Sequence, residues 1–235
     1  MSLLIRLTIV ALGIVLLSPV VCAQTSRKKY EKYPYLIYTP KGYSKSRRSL
    51  PLVIYLHGGS QRGQDLNKLK TYGPPYLVEQ GHDFNFIIAS PQCPEGKFWS
   101  TDNWFDSLYA DLLKKYRIDT RRVYLTGISM GGYGVWQTAV AYPNTFAAIV
   151  PLCGGCDDST RICRIKQIPV WTFHGTADDL IPISETERLV RRLNKCGGQV
   201  KFTRLANQGH DIQYLYEKET AIYDWLLKQV NTNVR

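Results

Sequence analysis

Short apolar runs alternate with longer segments of helical periodicity along most of this chain. Runs rich in apolar and β-branched residues predict strands at residues 35–38, 52–56, 84–89, 123–125, 147–151, 170–173 and 200–205. Apolar residues three to four positions apart predict helices at about 65–80, 104–117, 131–142, 185–195 and 216–230. Strands that are apolar at nearly every position are typical of parallel sheets covered on both faces. The pattern therefore predicts a single-domain α/β protein with a mostly parallel central sheet.

The fourth predicted strand leads directly into a Gly-x-Ser-x-Gly sequence, formed by Gly127, Ser129 and Gly131, and a helical pattern follows it. In that context the motif is typical of a nucleophile elbow, a turn so tight that the serine adopts a strained backbone conformation. Glycine is needed two positions to either side because a side chain there would collide with its surroundings. We predict that Ser129 is an exposed nucleophile and that the N–H of Met130 faces the same point.

A serine nucleophile needs a base to remove its proton and an acid to orient that base. In proteins with such an elbow the acid and then the histidine follow later strands. Asp178 follows the sixth predicted strand and His210 follows the seventh. Because the carboxyl ends of parallel strands lie at one edge of the sheet, we predict a triad of Ser129, Asp178 and His210. Asp179 is the alternative acid.

Two backbone N–H groups are also needed to hold the oxyanion, and losing one typically costs about 3 kcal/mol of transition-state stabilisation. After Met130, the second donor is expected in the loop after the strand at 52–56, where glycines allow close backbone approach. We assign Gly59, with Ser60 as the alternative and as a further candidate to border the substrate. His57 and His174 each end a strand before a glycine, so both are interpreted as structural.

An aromatic loop at residues 91–104 follows the third predicted strand and contains Trp99 and Trp104. Loops at that edge of a sheet form binding sites, so these rings are candidates to stack on a sugar or aryl group. Packing of the loop onto the domain is the alternative. Only about 15 residues separate the strands that end near Leu152 and begin at Ile168. That is too short for a lid domain, so we expect an open site.

Several motifs together resemble α/β-hydrolases of the esterase branch, which includes polyhydroxybutyrate-depolymerase-like, feruloyl-esterase-like and phospholipase/carboxylesterase-like proteins. The matching pieces lie at residues 56–63, 73–75, 90–94, 127–132, 151–155, 169–178 and 209–211. The resemblance implies a single-domain α/β-hydrolase fold and ester hydrolysis without a metal or organic cofactor. One departure is Ile212, because similar proteins tend to carry a tryptophan shortly after the catalytic His-Asp pair.

Residues 1–23 have the pattern of a removable export signal. Arg6 precedes an apolar run of 11 residues, Leu7 to Leu17, which is too short to span a bilayer, and Ala23 ends a plausible cleavage site. Cleavage there would leave residues 24–235 as the catalytic domain, secreted or periplasmic. The rest of the sequence has no apolar stretch long enough for stable membrane insertion.

Charge and cysteine content add limits on partners. The whole chain carries a formal charge of +11, and without Arg6 there remain 29 basic and 19 acidic residues. The basic residues are scattered without interleaved aromatics, which predicts a solvated surface and no nucleic-acid partner. Attraction to anionic glycans or to the envelope surface is the alternative. Five cysteines follow the signal, so at least one thiol is unpaired: Cys93, Cys153, Cys156, Cys163 and Cys196. Neither their pairing nor the oligomeric state is predicted, and no metal site is expected.

The sequence thus predicts a secreted serine hydrolase of carboxylic esters. The resemblance implies short acyl or aryl esters, such as acetyl or feruloyl groups on plant polysaccharide. A serine peptidase of the prolyl-oligopeptidase-like branch is an alternative, disfavoured because no gating domain is recognised. An inactive glycan-binding module is another, disfavoured because nucleophile, acid, base and oxyanion donors are all present.

Overall fold

The computed structural model describes residues 33–218 and 221–233, and the predicted signal peptide lies outside these residues. Seven strands form one sheet in the order β1-β3-β2-β4-β5-β6-β7. The edge strand β1 runs antiparallel to β3, and every other pairing is parallel. The predicted fold class is confirmed. The strands are β1 Tyr35–Tyr38, β2 Leu50–Leu56, β3 Ile87–Pro91, β4 Ile118–Ile128, β5 Ala148–Leu152, β6 Val170–Gly175 and β7 Val200–Leu205.

Within the described residues, six α-helices and four 3₁₀ helices lie between the strands or after the last of them. The α-helices are α1 Pro74–Glu79, α2 Trp104–Lys115, α3 Met130–Ala141, α4 Ser184–Lys195, α5 Tyr214–Lys218 and α6 Ala221–Leu227. The 3₁₀ helices are Tyr43–Lys45, Gly59–Gln61, Leu66–Thr71 and Ser159–Ile165. Among the described helices, none combines the length and apolar character that crossing a bilayer would require.

The sheet is covered on both faces because its strands are apolar on both faces. In β2, Ile54 belongs to a core cluster with helices α2, α3 and α4, whereas its neighbour Tyr55 belongs to a second cluster with α5 and α6. Successive side chains of a strand point to opposite faces, so the alternation distributes one strand between two cores. Both Ile54 and Tyr55 are completely buried. This double packing holds the strand ends, and the loops that follow them, in place.

Several predicted elements differ from the structure. The strand predicted at 84–89 lies at Ile87–Pro91, the helix predicted at 216–230 corresponds to α5 and α6, and two further differences concern a helix and strand β4. The single helix predicted at 65–80 is wrong: a 3₁₀ turn ends at Thr71, and α1 begins only at Pro74. Gly73 between them has φ +77°, and a Cβ there would lie 2.5 Å from the Tyr55 hydroxyl. Strand β4 begins at Ile118, which pairs with Leu50. This start is earlier than predicted because the charged residues after Ile118 hide the strand pattern in the sequence.

The connection between β5 and β6 contains one short 3₁₀ helix, Ser159–Ile165, and no lid domain, as expected. A disulfide joins Cys163 in that turn to Cys196 at the end of α4. The other three described cysteines, Cys93, Cys153 and Cys156, are free and buried.

Removing this disulfide should destabilise the fold. The cross-link spans a sequence separation of 33 residues, for which loop-closure entropy gives about 3–4 kcal/mol. We expect the double variant Cys163→Ser/Cys196→Ser to lose about that much free energy of unfolding, measured by urea denaturation. Dithiothreitol should lower the midpoint of the wild type and leave the variant unchanged. Equal midpoints for both proteins without reductant would contradict the prediction.

Candidate active site

The Gly-x-Ser-x-Gly sequence forms the predicted tight turn between β4 and α3. Ser129 has φ 59° and ψ −121°, a conformation that non-glycine residues rarely adopt. A Cβ at Gly127 would lie 2.6 Å from the carbonyl oxygen of Leu56, and one at Gly131 would collide with the same oxygen. Helix α3 therefore begins against β2 with no room for side chains, and the turn presents the Ser129 hydroxyl at the sheet edge.

The structure brings Ser129, His210 and Asp178 together from three loops. His210 Nε2 lies 2.8 Å from Ser129 Oγ, and His210 Nδ1 lies 2.8 Å from Asp178 Oδ2. Both distances are those of hydrogen bonds. Because a carboxylate only accepts, Nδ1 carries the hydrogen, and Nε2 then accepts from the serine hydroxyl. This is the arrangement in which an imidazole can remove the serine proton.

Asp178 is held from several sides. Its side chain is fully buried, and its Oδ1 accepts hydrogen bonds from the N–H groups of Leu180 and Ile181 at 3.0 and 2.9 Å. Burial raises the pKa of this carboxyl, but the Ile181 N–H and His210 outweigh it, so the pKa lies below its ordinary value. The carboxylate is therefore ionised at neutral pH. The alternative acid, Asp179, is exposed, and the carboxylate beside His210 is that of its neighbour.

His174 lies behind the acid, a contact that the sequence analysis missed. Its Nε2 is 3.2 Å from Asp178 Oδ2, and its Nδ1 is 2.8 Å from Thr186 Oγ1. The ring is fully buried, and this burial lowers its pKa. In the sequence, the signal for this contact was the spacing of four residues between His174 and Asp178 across the turn after β6.

Of the two predicted oxyanion donors, Met130 directly follows the serine and Gly59 lines a cleft beside it. Within the described residues, the N–H groups of Met130 and Gly59 make no hydrogen bond, which leaves both available. Ser60, the alternative donor, follows Gly59 and borders the same side of the site. The carbonyl of Gly58 lies 2.6 Å from His57 Nδ1. Because C=O and N–H of a trans peptide point in opposite directions, this contact turns the Gly59 N–H away from His57.

His57 is held in one tautomer by its neighbours. Its Nε2 accepts from the N–H of Cys93 at 2.9 Å, so its Nδ1 carries the hydrogen and donates to Gly58. The ring is completely buried, and burial lowers its pKa to about 4. His57 is therefore a neutral bridge between the loops after β2 and β3, which agrees with its structural interpretation.

Two clefts border Ser129. The first, of about 540 Å³, lies between α3 and the loop around Phe98, and the second, of about 410 Å³, lies on the side of His210. Trp99 borders the first cleft with only 3 % of its surface exposed, and its Nε1 donates to the His57 carbonyl. Trp104 is 1 % exposed and packs in the core, so the structure does not bring it to the serine. The lining residues not identified from sequence include Phe98, Tyr133, Gln137 and Asp157.

One set of side chains near the serine has the composition of a metal site. The possible ligand atoms of Cys153, Asp178 and His210 lie within 4.8 Å of one another. A bound metal would require the Cys153 thiolate, but burial strongly raises the pKa of that thiol. Asp178 and His210 are also engaged with each other. This donor set does not fit a metal ion.

Comparison with known proteins finds esterases of this fold among the chains to which this one is similar. The family model described as phospholipase/carboxylesterase matches residues 85–222. The crystal structure of a thermostable esterase is 31 % identical, with a TM-score of 0.71 over 84 % of this chain and 59 % of that chain. A ferulic acid esterase has a TM-score of 0.60 at 17 % identity, over 82 % of this chain and 89 % of that one, a likeness of fold alone. The resemblance predicted from the motifs is confirmed.

Two curated relatives are much longer than the part of them that matches this chain. The bifunctional acetylxylan esterase/xylanase of Neocallimastix patriciarum is 27 % identical over 147 residues, which cover 60 % of this chain and 21 % of that protein. Poly(3-hydroxyalkanoate) depolymerase C of Paucimonas lemoignei is 27 % identical over 121 residues, covering 45 % and 28 %. The chain therefore matches less than a third of the length of these relatives.

The buried His57 should make stability depend on pH. The unfolded chain binds a proton near pH 6.5, whereas folded His57 stays neutral down to about pH 4. The free energy of unfolding therefore falls as pH falls through this window, by up to about 3 kcal/mol from this group. The lowered pKa of His174 acts in the same direction. Urea denaturation at pH 7 and pH 4.5 measures the change, and His57→Gln should show a shallower dependence. An unchanged pH dependence of the free energy of unfolding in that variant would contradict the assignment of this dependence to His57.

Proposed function

Because the chain belongs to the phospholipase/carboxylesterase family, we propose that it is a secreted serine hydrolase of carboxylic esters. The observation that carries the proposal is the continuous hydrogen-bonded series from Ser129 through His210 to Asp178. The likeness to the thermostable esterase supports the same reaction class.

The proposed reaction follows from the positions of these groups. His210 Nε2 takes the Ser129 proton as Oγ attacks the ester carbonyl, and Asp178 stabilises the imidazolium that forms. The N–H groups of Met130 and Gly59 hold the oxyanion. Collapse releases the alcohol with the proton from His210, and water then hydrolyses the acyl-enzyme by the same steps. No metal or organic cofactor takes part in this scheme.

The proposed substrates are short acyl or aryl esters, including acetyl or feruloyl esters of plant polysaccharide. The open site supports this choice, because the described connection between β5 and β6 forms no lid over the serine. The similarity to a bifunctional acetylxylan esterase/xylanase and to a poly(3-hydroxyalkanoate) depolymerase also supports esters carried on large polymers.

Export is proposed on three grounds. Residues 1–23 carry the pattern of a signal peptide. The disulfide between Cys163 and Cys196 is typical of an oxidising compartment. A relative from Arthroderma benhamiae, 25 % identical over 207 residues that cover 68 % of this chain and 21 % of that protein, is described as an uncharacterized secreted protein.

We expect Ser129→Ala to lower kcat for p-nitrophenyl acetate by at least about 10⁴-fold, since loss of a triad nucleophile removes the covalent route. Asp178→Asn should lose about 10³-fold or more because the imidazole loses the acceptor that holds its tautomer. The matched control is Asp179→Asn, which changes an exposed neighbour and should stay within about twofold of wild type.

Stopped-flow and steady-state absorbance assays measure these rates. Activity surviving Ser129→Ala would exclude Ser129 as the nucleophile, and no hydrolysis by the wild type would favour the inactive glycan-binding module. Preferential cleavage of short peptides over methyl ferulate and acetylated xylan would favour the peptidase alternative.

A further inference from the structure

The two clefts beside Ser129 differ in the catalytic group that borders them. His210 lines the second cleft, together with Ser60, Asp211 and Gln213. The first cleft is lined instead by the beginning of α3, including Met130 and Tyr133, and by the loop around Phe98. An ester bound across the serine must place its acyl part in one cleft and its alcohol part in the other.

The reaction decides which cleft holds the acyl part of the ester and which holds the alcohol part, given the proposed function on which this inference rests. When the tetrahedral intermediate collapses, the bond from the carbonyl carbon to the alcohol oxygen breaks and its electron pair stays on that oxygen. The same oxygen takes the proton from His210 Nε2. The alcohol must therefore leave on the side of His210, through the second cleft. The acyl group, which stays bonded to Ser129 Oγ, lies in the first cleft.

The first cleft is large and aromatic. Its volume of about 540 Å³ lies within the range of sites that enclose whole drug-sized ligands, and an acetyl group would leave most of it unfilled. Phe98 and Tyr133 stand among its walls. Phe98 is 55 % exposed, and the Arg62 guanidinium carbon lies 5.2 Å from its ring centroid. Such a wall provides a surface on which a flat ring can stack.

The same cleft contains a polar pair, Gln137 and Asp157. Gln137 Nε2 donates to Asp157 Oδ2 at 2.6 Å. Gln137 follows Ser129 by eight residues, which is roughly 12 Å along a helix axis at about 1.5 Å per residue. That span suits an extended hydroxycinnamoyl group with its carbonyl at Ser129 and its phenolic hydroxyl at the pair. A carboxylate accepts several hydrogen bonds, so Asp157 can receive a phenolic O–H besides Gln137.

We infer that the first cleft is the acyl pocket and that it selects aryl acyl groups carrying a hydroxyl at the end remote from the carbonyl. Gln137 and Asp157 recognise that hydroxyl, and Phe98 and Tyr133 enclose the ring. The negative charge of Asp157 disfavours acyl groups that end in a carboxylate, because two like charges would meet in the cleft.

The test compares methyl 4-hydroxycinnamate with methyl cinnamate, which lacks only the hydroxyl. We expect the wild type to prefer the hydroxylated ester by about tenfold or more in kcat/KM, the effect of one hydrogen bond to a charged acceptor. Asp157→Ala and Gln137→Ala should bring this ratio toward one. Gln213→Ala, the matched glutamine of the second cleft, should keep the wild-type ratio. Thermal unfolding checks that each variant is folded.

The outcomes separate this inference from the proposed function. Hydrolysis of p-nitrophenyl acetate by the wild type with a ratio near one would overturn the acyl-pocket assignment and leave the esterase proposal standing. A wild-type ratio retained in both Asp157→Ala and Gln137→Ala would overturn the role of the polar pair. A ratio lost in Gln213→Ala alone would place the acyl group in the second cleft. Absence of any ester hydrolysis would overturn both proposals.

Discussion

The close approach of the first turn of α3 to the sheet is the constraint on which the candidate site depends. A Cβ at Gly131 would collide with the carbonyl oxygen of Leu56, and one at Gly132 with that of Leu152. Because the helix begins so near the strands, Ser129 must turn with a positive φ, a strain on the order of 1–3 kcal/mol. The two buried cores on either face of the sheet hold that turn in place. The same geometry exposes the serine hydroxyl and leaves the Met130 N–H without a partner among the described residues.

Two buried histidines at strand ends support the loops that carry the remaining groups. His57 joins the loop of Gly58 and Gly59 to the N–H of Cys93, and His174 lies against the carboxylate of Asp178. Burial lowers the pKa of both rings. Two buried histidines thus help to position the groups near His210, His57 through the loop of Gly58 and Gly59 and His174 through Asp178. Stability in mild acid and the geometry of the site are therefore coupled.

The relay and most of the lining of the first cleft come from different parts of the chain, whereas the second cleft is lined by His210 and its neighbours. The relay groups follow β4, β6 and β7, whereas the first cleft takes its walls from the Phe98 loop, one face of α3 and the turn at Asp157. Changes in the second set alter the volume and polarity beside the serine without moving the strands that position Ser129, Asp178 and His210. The side chains beside the serine in the first cleft can accordingly vary without displacing Ser129, Asp178 or His210.

Local sequence determined much of this protein: the strand and helix pattern, the tight turn at Ser129, and the order in which Asp178 and His210 follow later strands. These features depend on periodicity and on glycine at close contacts, which are properties of short segments. Tertiary structure alone decided that Trp104 packs inside, that Cys163 pairs with Cys196, that His174 lies behind the acid, and that Gln137 meets Asp157. Each of these is a meeting of side chains from separate segments or a matter of burial. The distance between such groups follows from how helices and loops pack on the sheet, and no local pattern encodes it.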